Sequence, residues 1–160
     1  TGHKDPRIHL KMIAKPFRWD TAQMPINILD AFYRSFQKEV VPECAKKGIG
    51  VIGLKGLGGG FPAGRIPDQF GISGEDCRRF CLSLPISSLV VGITSKKDLA
   101  QDVGAAREFK PMSQDEIKKL FDKVRKEASD GRHELFKSTQ FFDGPYHRVQ
   151  HGFDVEKEEA

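Results

Sequence analysis

Lys55 is the residue with the most direct chemical potential in this chain. It follows a short apolar run, 49–54, and stands just before a glycine-rich stretch that includes Gly58, Gly59 and Gly60. In α/β proteins the loops at the carboxyl ends of parallel strands carry the chemistry. A lysine desolvated there can form a Schiff base with a carbonyl substrate. No acid lies near it in sequence to assist, so a lysine paired at the mouth of the sheet, or one touching a cofactor, is the favoured reading. The glycines either let backbone N–H groups approach a phosphate or act as a flexible connector, and both readings stand. A second loop of this kind carries Gly92, Thr94 and Ser95 directly before a helix start, with Lys96 and Lys97 adding charge. Backbone amides at a helix N-terminus and two hydroxyls make an oxyanion cradle. Plain N-capping by Thr94 or Ser95 has the same sequence appearance.

Other spacings weigh less. Gly48, Gly50 and Gly53 match the dinucleotide fingerprint G-x-G-x-x-G. That fingerprint must follow a strand and open a helix, whereas here it follows a helix and is itself the strand. Cys77 and Cys81 stand i, i+4 on an expected helix, and Cys44 is the third cysteine. Nothing nearby completes a four-ligand metal set, so core thiols are the expectation and no metal site is assigned. His147 and His151 share the same spacing but fall in an irregular tail, which reads as surface.

These residues need elements to position them. The pattern predicts a helix from Pro6 to about residue 14, a strand at 20–24, a loop at 26–31 and an amphipathic helix over 35–47. That helix carries Phe36, Val40, Val41 and Cys44 on one side and ends at Gly48, with Pro42 expected to kink it. A buried strand at 49–54 follows, then a long loop at 56–73. Ser73 caps a helix to residue 84, and a third strand at 89–92 leads into a helix over 97–107. Ser113 and Glu116 form a capping box for a helix carrying Ile117, Leu120, Phe121 and Val124. From residue 131 the chain is polar with scattered aromatics, and 156–160 is expected to be disordered.

The chain has 160 residues and a formal net charge of +4, with a sequence pI of about 9.0. Its basic residues are interspersed with acidic ones, which suits a solvated surface or a phosphate-bearing small ligand better than nucleic acid. No apolar run is long enough to span a membrane. Three cysteines without regular spacing argue against a disulfide framework. A cytoplasmic location is expected, with a targeting signal ahead of Thr1 left open. Successive strand–loop–helix units predict parallel strands with outer helices, as in a (β/α)8 barrel or a doubly wound sheet. A complete barrel takes roughly 250 residues, so the expectation is a fragment whose N-terminal half is missing. The expected division is a partial TIM-barrel domain over 1–130 and a C-terminal tail over 131–160.

The order of these pieces resembles the C-terminal half of the aldo/keto reductase family. Thr1-Gly2-His3 looks like the loop after barrel strand five. Gln23 to Asn27 looks like Q-x-x-x-N at strand six. The segment from Val51 through Lys55 to Gly59 looks like the strand-seven ending of a subgroup with M-K-P-L-G-G. The stretch from Val90 to Ser95, with Leu99 to Ala105, looks like the strand-eight signature. The resemblance runs from Thr1 to about residue 127 and rests on four motifs in register.

It implies the C-terminal part of a (β/α)8 TIM barrel and hydride transfer between NADP, or NAD, and a small carbonyl or alcohol substrate. Thr1 and Gln23 would hold the nicotinamide carboxamide, and Leu54 would wall the nicotinamide ring. Lys55, Gly58 and Gly59 would run beside the pyrophosphate. Gly92, Thr94 and Ser95 would hold the adenosine phosphate, with Asp102 near the adenine. Gly2 replaces the usual Asn, Leu54 an aromatic, and Asp102 an Asn. Asp98 stands where many members carry an arginine for the 2′-phosphate. The catalytic tetrad of the family comes from the first four strands, so no catalytic residue is assigned. The alternatives are a Schiff-base lyase using Lys55 and a non-catalytic barrel that binds a ligand.

Overall fold

The computed structural model describes residues 2–59 and 64–138. Three short strands make one parallel sheet in the order β1-β2-β3, with β1 at Thr21–Pro25, β2 at Gly50–Leu54 and β3 at Ser88–Leu89. The pairing sets Ala22 beside Val51 and Met24 beside Gly53. Side chains alternate across a strand, so Ala22, Met24 and Val51 share one face, and all three are buried. Gln23, Ile52 and Leu54 share the other face and are half-exposed. Strands covered equally on both faces were expected from their apolar runs; here one face is packed and the other stays partly open.

Helix α1, Pro6–Ile13, opens with Asp5 capping the Arg7 amide and Pro6 in its first turn. Helix α2, Phe36–Lys46, is capped by the Ser35 hydroxyl on the Lys38 amide. It packs on β1 and β2 through Phe36, Val40, Val41 and Cys44, all buried. The helix runs through Pro42, which removes the donor for the Lys38 carbonyl. Burial of that apolar face outweighs the missing bond. Gly48 follows at a positive φ of 67° and lets the chain turn into β2.

The segment expected to be one long loop holds a helix, α3, at Ile66–Phe70. Pro67 sits in its first turn, Gly71 closes it in the left-handed region, and Ile66 is buried. Helix α4, Gly74–Leu82, is capped by Ser73 as its sequence indicated, and lays Cys77, Phe80 and Cys81 into the core. Strand β3 is shorter than its apolar run. The Val90 amide takes the Gly53 carbonyl at 2.8 Å. Just beyond Leu54, Lys55 turns the chain away at a φ of 58°, so β2 offers residues 90–92 no further partners.

Helix α5, Lys96–Arg107, follows with none of its residues buried. Helix α6, Gln114–Ala128, has the expected capping box between Ser113 and Glu116. Its Leu120, Val124 and Ala128 close the core beside Phe121, whose ring meets Phe32 and Phe80 edge-on.

Residues 131–138, expected to belong to a polar tail, are packed against the body instead. A short helix, α7 at Leu135–Ser138, brings Phe136 and Lys137 into full burial beside Glu134. The Lys137 ammonium donates to Asp30 Oδ1 at 2.5 Å, to Glu134 Oε2 at 2.9 Å and to the Tyr33 carbonyl at 3.2 Å. Asp30 in turn accepts the Phe36 and Gln37 amides at the start of α2. Asn27 donates to Glu134 Oε1 at 3.1 Å and accepts the Leu29 and Asp30 amides. Every proton of that ammonium has an acceptor, which is the condition for burying a charge at tolerable cost. Residues 139–160, with His147 and His151, lie outside the described residues.

Candidate functional site

A groove of about 580 Å³ opens at the carboxyl ends of β2 and β3. Lys55, Gly58 and Gly59 line it from the loop after β2, and Gly92, Thr94 and Lys97 from the loop after β3 and the start of α5. Arg65, Arg78, Asp98 and Asp102 complete its charged lining.

The first loop is shaped by backbone geometry. Lys55 adopts the left-handed region that non-glycine residues seldom enter. This closes a tight turn in which the Gly58 amide donates to the Lys55 carbonyl at 2.8 Å. Gly58 itself has a φ of 91°, and a Cβ there would stand 3.1 Å from Ile66 Cγ1. The loop thus lies close against α3, and only glycine meets both demands without strain. Burial holds the Lys55 ammonium pKa below its ordinary value, against the opposing field of Glu134. Its Nζ sits 4.8 Å from the centroid of the Phe136 ring.

The second loop is self-satisfied. Asp98 Oδ2 accepts the Thr94 amide at 3.2 Å, the Thr94 hydroxyl at 2.8 Å and the Ser95 hydroxyl at 2.9 Å. The Ser95 hydroxyl caps the Asp98 amide. These bonds, from Thr94 foremost, lower the Asp98 carboxyl pKa. The donors expected to cradle a phosphate are therefore turned onto the chain's own carboxylate, which already holds the anion position at the start of α5.

Between the loops, Arg78 Nε donates to Asp102 Oδ1 at 2.6 Å, with both side chains more than nine-tenths buried. The second oxygen, Oδ2, is buried without a hydrogen-bond partner. A buried carboxylate oxygen in that state is suited to accept a ligand's hydroxyl or amino group. A groove that offers cations and an acceptor together fits a ligand bearing phosphates, hydroxyls and an exocyclic amine. That donor set is compatible with a dinucleotide.

The structure thus brings together Lys55, Gly58, Gly59, Gly92, Thr94 and Asp102. Gln23, Leu54 and Ser95 are not part of the groove lining. Gln23 and Leu54 sit on the half-open face of the sheet, and the Gln23 carbonyl accepts from the Gly2 amide and lies 3.0 Å from His9 Nε2. Thr1 lies outside the described residues. Sequence reasoning missed Arg65 and Arg78. Arg78 carries one readable signal: it stands one turn after Gly74 on α4, where Gly74 leaves room for Gln101 of α5.

The thiols fit their expected place in the core. Burial pushes Cys77 up to about 12 and raises Cys44 and Cys81 as well. Among the described residues no cluster of His, Cys, Asp and Glu could hold a metal ion. No described helix is long and apolar enough to cross a membrane. No protein-family model matches the chain, and no curated protein matches it significantly.

Proposed function

We propose that this chain supplies the cofactor-binding half of an aldo/keto reductase-like oxidoreductase built on a (β/α)8 barrel. Its groove would hold the phosphates of NAD(P). The carrying observation is the gathering of Lys55, Gly58, Gly59, Gly92, Thr94 and Asp102, drawn from two separate strand-end motifs, into one cation-lined groove. When bound, a nicotinamide supplies hydride exchange with a carbonyl or alcohol carbon. The chain's own part is to bind and orient: Lys55, Arg65 and Lys97 carry positive charge at the groove, and Asp102 offers an acceptor.

The architecture supports this reading in two ways. Strands added in sequential order are how a barrel winds, whereas doubly wound sheets reverse order at a switch point. Exposed apolar residues also collect at the two ends of the unit, Ile8 and Met12 on α1 and Val90, Ile93, Leu99 and Val103 on β3 and α5. Neighbouring β/α units of a closed barrel would cover both.

Fluorescence titration of the full-length protein with NADH and NADPH tests the proposal. Lys97→Met is expected to weaken both by roughly tenfold or more, the scale of a lost hydrogen bond to a charged group. Absence of binding by either nucleotide refutes it. The Schiff-base reading draws on one observation, the lowered pKa of Lys55, because a neutral amine is the nucleophile. Borohydride trapping of a carbonyl substrate on Lys55 would decide in its favour.

A further inference from the structure

Phe136 stands between the groove and the buried ion cluster. The Lys55 ammonium lies 4.8 Å from its ring centroid and the Lys137 ammonium 5.9 Å. His3 meets the same ring edge-on at 5.7 Å. Contact with the groove loop is close, since a Cβ on Gly59 would come 3.3 Å from Phe136 Cε1. Two ammonium groups so near one another repel in a medium of low dielectric. The electron-rich ring offsets this for each of them, and Glu134 adds a negative charge behind it.

Helix α7 is four residues long, too short to hold itself by helix formation alone. Its seat comes from anchors instead. Lys137 spends three donors, Glu134 both oxygens, and Arg34 donates to the Lys137 carbonyl at 2.7 Å. A displacement of that seat passes directly to Phe136, and from there to Gly59 and Lys55.

We propose that Phe136 and Glu134, seated by Lys137 on Asp30, are positioning residues of the groove: they fix where the Lys55 ammonium stands and the field it feels. Building on the dinucleotide reading, this sets how firmly Lys55 holds a phosphate. The charges that bear on Lys55 are Glu134 and Lys137 behind the ring, and Arg65, Arg78, Lys97, Asp98 and Asp102 along the groove. His3 adds a titratable group beside Phe136. Of these charges, Glu134 is the one whose field opposes burial at Lys55.

The test uses the full-length protein with Glu134→Gln and Phe136→Leu. Lys55 is labelled with an amine-reactive acetylating reagent across pH and quantified by peptide mass spectrometry. NADH and NADPH are titrated in parallel, and unfolding midpoints are recorded. Glu134→Gln is expected to move the Lys55 labelling profile to lower pH by about half a unit or more, the scale of one charge acting on a partly buried group. Phe136→Leu is expected to raise the high-pH plateau rate by uncovering the amine. Glu134→Gln should weaken nucleotide binding about threefold or more in the Lys55 background and leave it unchanged in a Lys55→Met background.

An unshifted labelling profile overturns the proposal, as does equal weakening in both backgrounds. If Glu134→Gln does not fold, an unchanged plateau in Phe136→Leu overturns it and a raised plateau supports it. If the wild type binds neither nucleotide, the dinucleotide reading fails, while the labelling profiles still decide the positioning role.

Discussion

Replacing Lys137 by Met keeps the length of the stem and removes the ammonium. Asp30 and Glu134 are then left facing one another at full burial, where both had been neutralised at 2.5 and 2.9 Å. Removing one partner from a buried pair costs about 3–5 kcal/mol, which is a large share of a typical domain stability of about 5–15 kcal/mol. Asp30 keeps two backbone amides as donors, so the distress falls on Glu134. Burial already raises its pKa, and in the wild type Lys137 works against that rise. Without Lys137 the folded-state pKa climbs further above the unfolded value near 4.5. The folded variant then binds the extra proton. Its stability is therefore retained near pH 4.5 and lost as pH rises toward the new folded pKa.

Denaturant unfolding of the full-length protein at pH 5 and pH 8 reads this directly. The variant's deficit should be larger at pH 8, and adding Glu134→Gln should recover much of it by leaving one carboxylate with its own donors. A deficit under about 1 kcal/mol, or one indifferent to pH, would refute the buried-cluster reasoning.

Three further outcomes are expected. Arg78→Met strands Asp102 in a dry site and should cost about 3–5 kcal/mol in denaturant melts, with Arg78→Met/Asp102→Leu recovering most of it. Gly58→Ala forces a Cβ toward Ile66 at a positive φ, so a loss of about 1–2 kcal/mol or more is expected by thermal unfolding, with reduced nucleotide binding. His9 is held neutral, its pKa pushed below 6.5 mainly by burial; the unfolded chain takes the proton first, so stability present above about pH 6.5 falls as pH drops through the window below it. Comparing His9→Gln with wild type from pH 7.5 to 5 checks this, each unit of pKa difference being worth about 1.4 kcal/mol.

How far the sequence could be read depended on how local the deciding interaction is. Helix α2 was readable because Phe36, Val40, Val41 and Cys44 repeat at helical spacing between a serine cap and a glycine stop. The capping box of α6 was readable for the same reason. Helix α3 also carried its marks, Pro67 and Gly71, but in a stretch dominated by glycine and proline. The extent of β3 was not legible, because it is set by the unusual backbone of Lys55 on the neighbouring strand. Least legible was α7. Glu134 and Lys137 three residues apart look like a solvated helix face, and nothing near them names Asp30 as the third member. Likewise Thr94 and Ser95 were recognisable as donors, but their capture by Asp98 is a matter of rotamer and turn geometry. The loops of the groove could be found from sequence; Arg65 and Arg78, which give much of its charge, arrive from α3 and α4 through packing.

The span of the Asp30–Lys137 contact bears on how the chain is made. The two residues are 107 positions apart, so a ribosome working at ordinary speed needs roughly 5–20 s to deliver the second after the first. During that interval the Asp30 carboxylate and the turn around Asn27 must stay hydrated, and α2 can dock only against a wet end. Drying that end becomes the final event of synthesis for the described chain. A nascent product released before residue 137 would keep an open, water-filled seam between β1 and α2, the kind of incompletely sealed surface that chaperones and proteases act on.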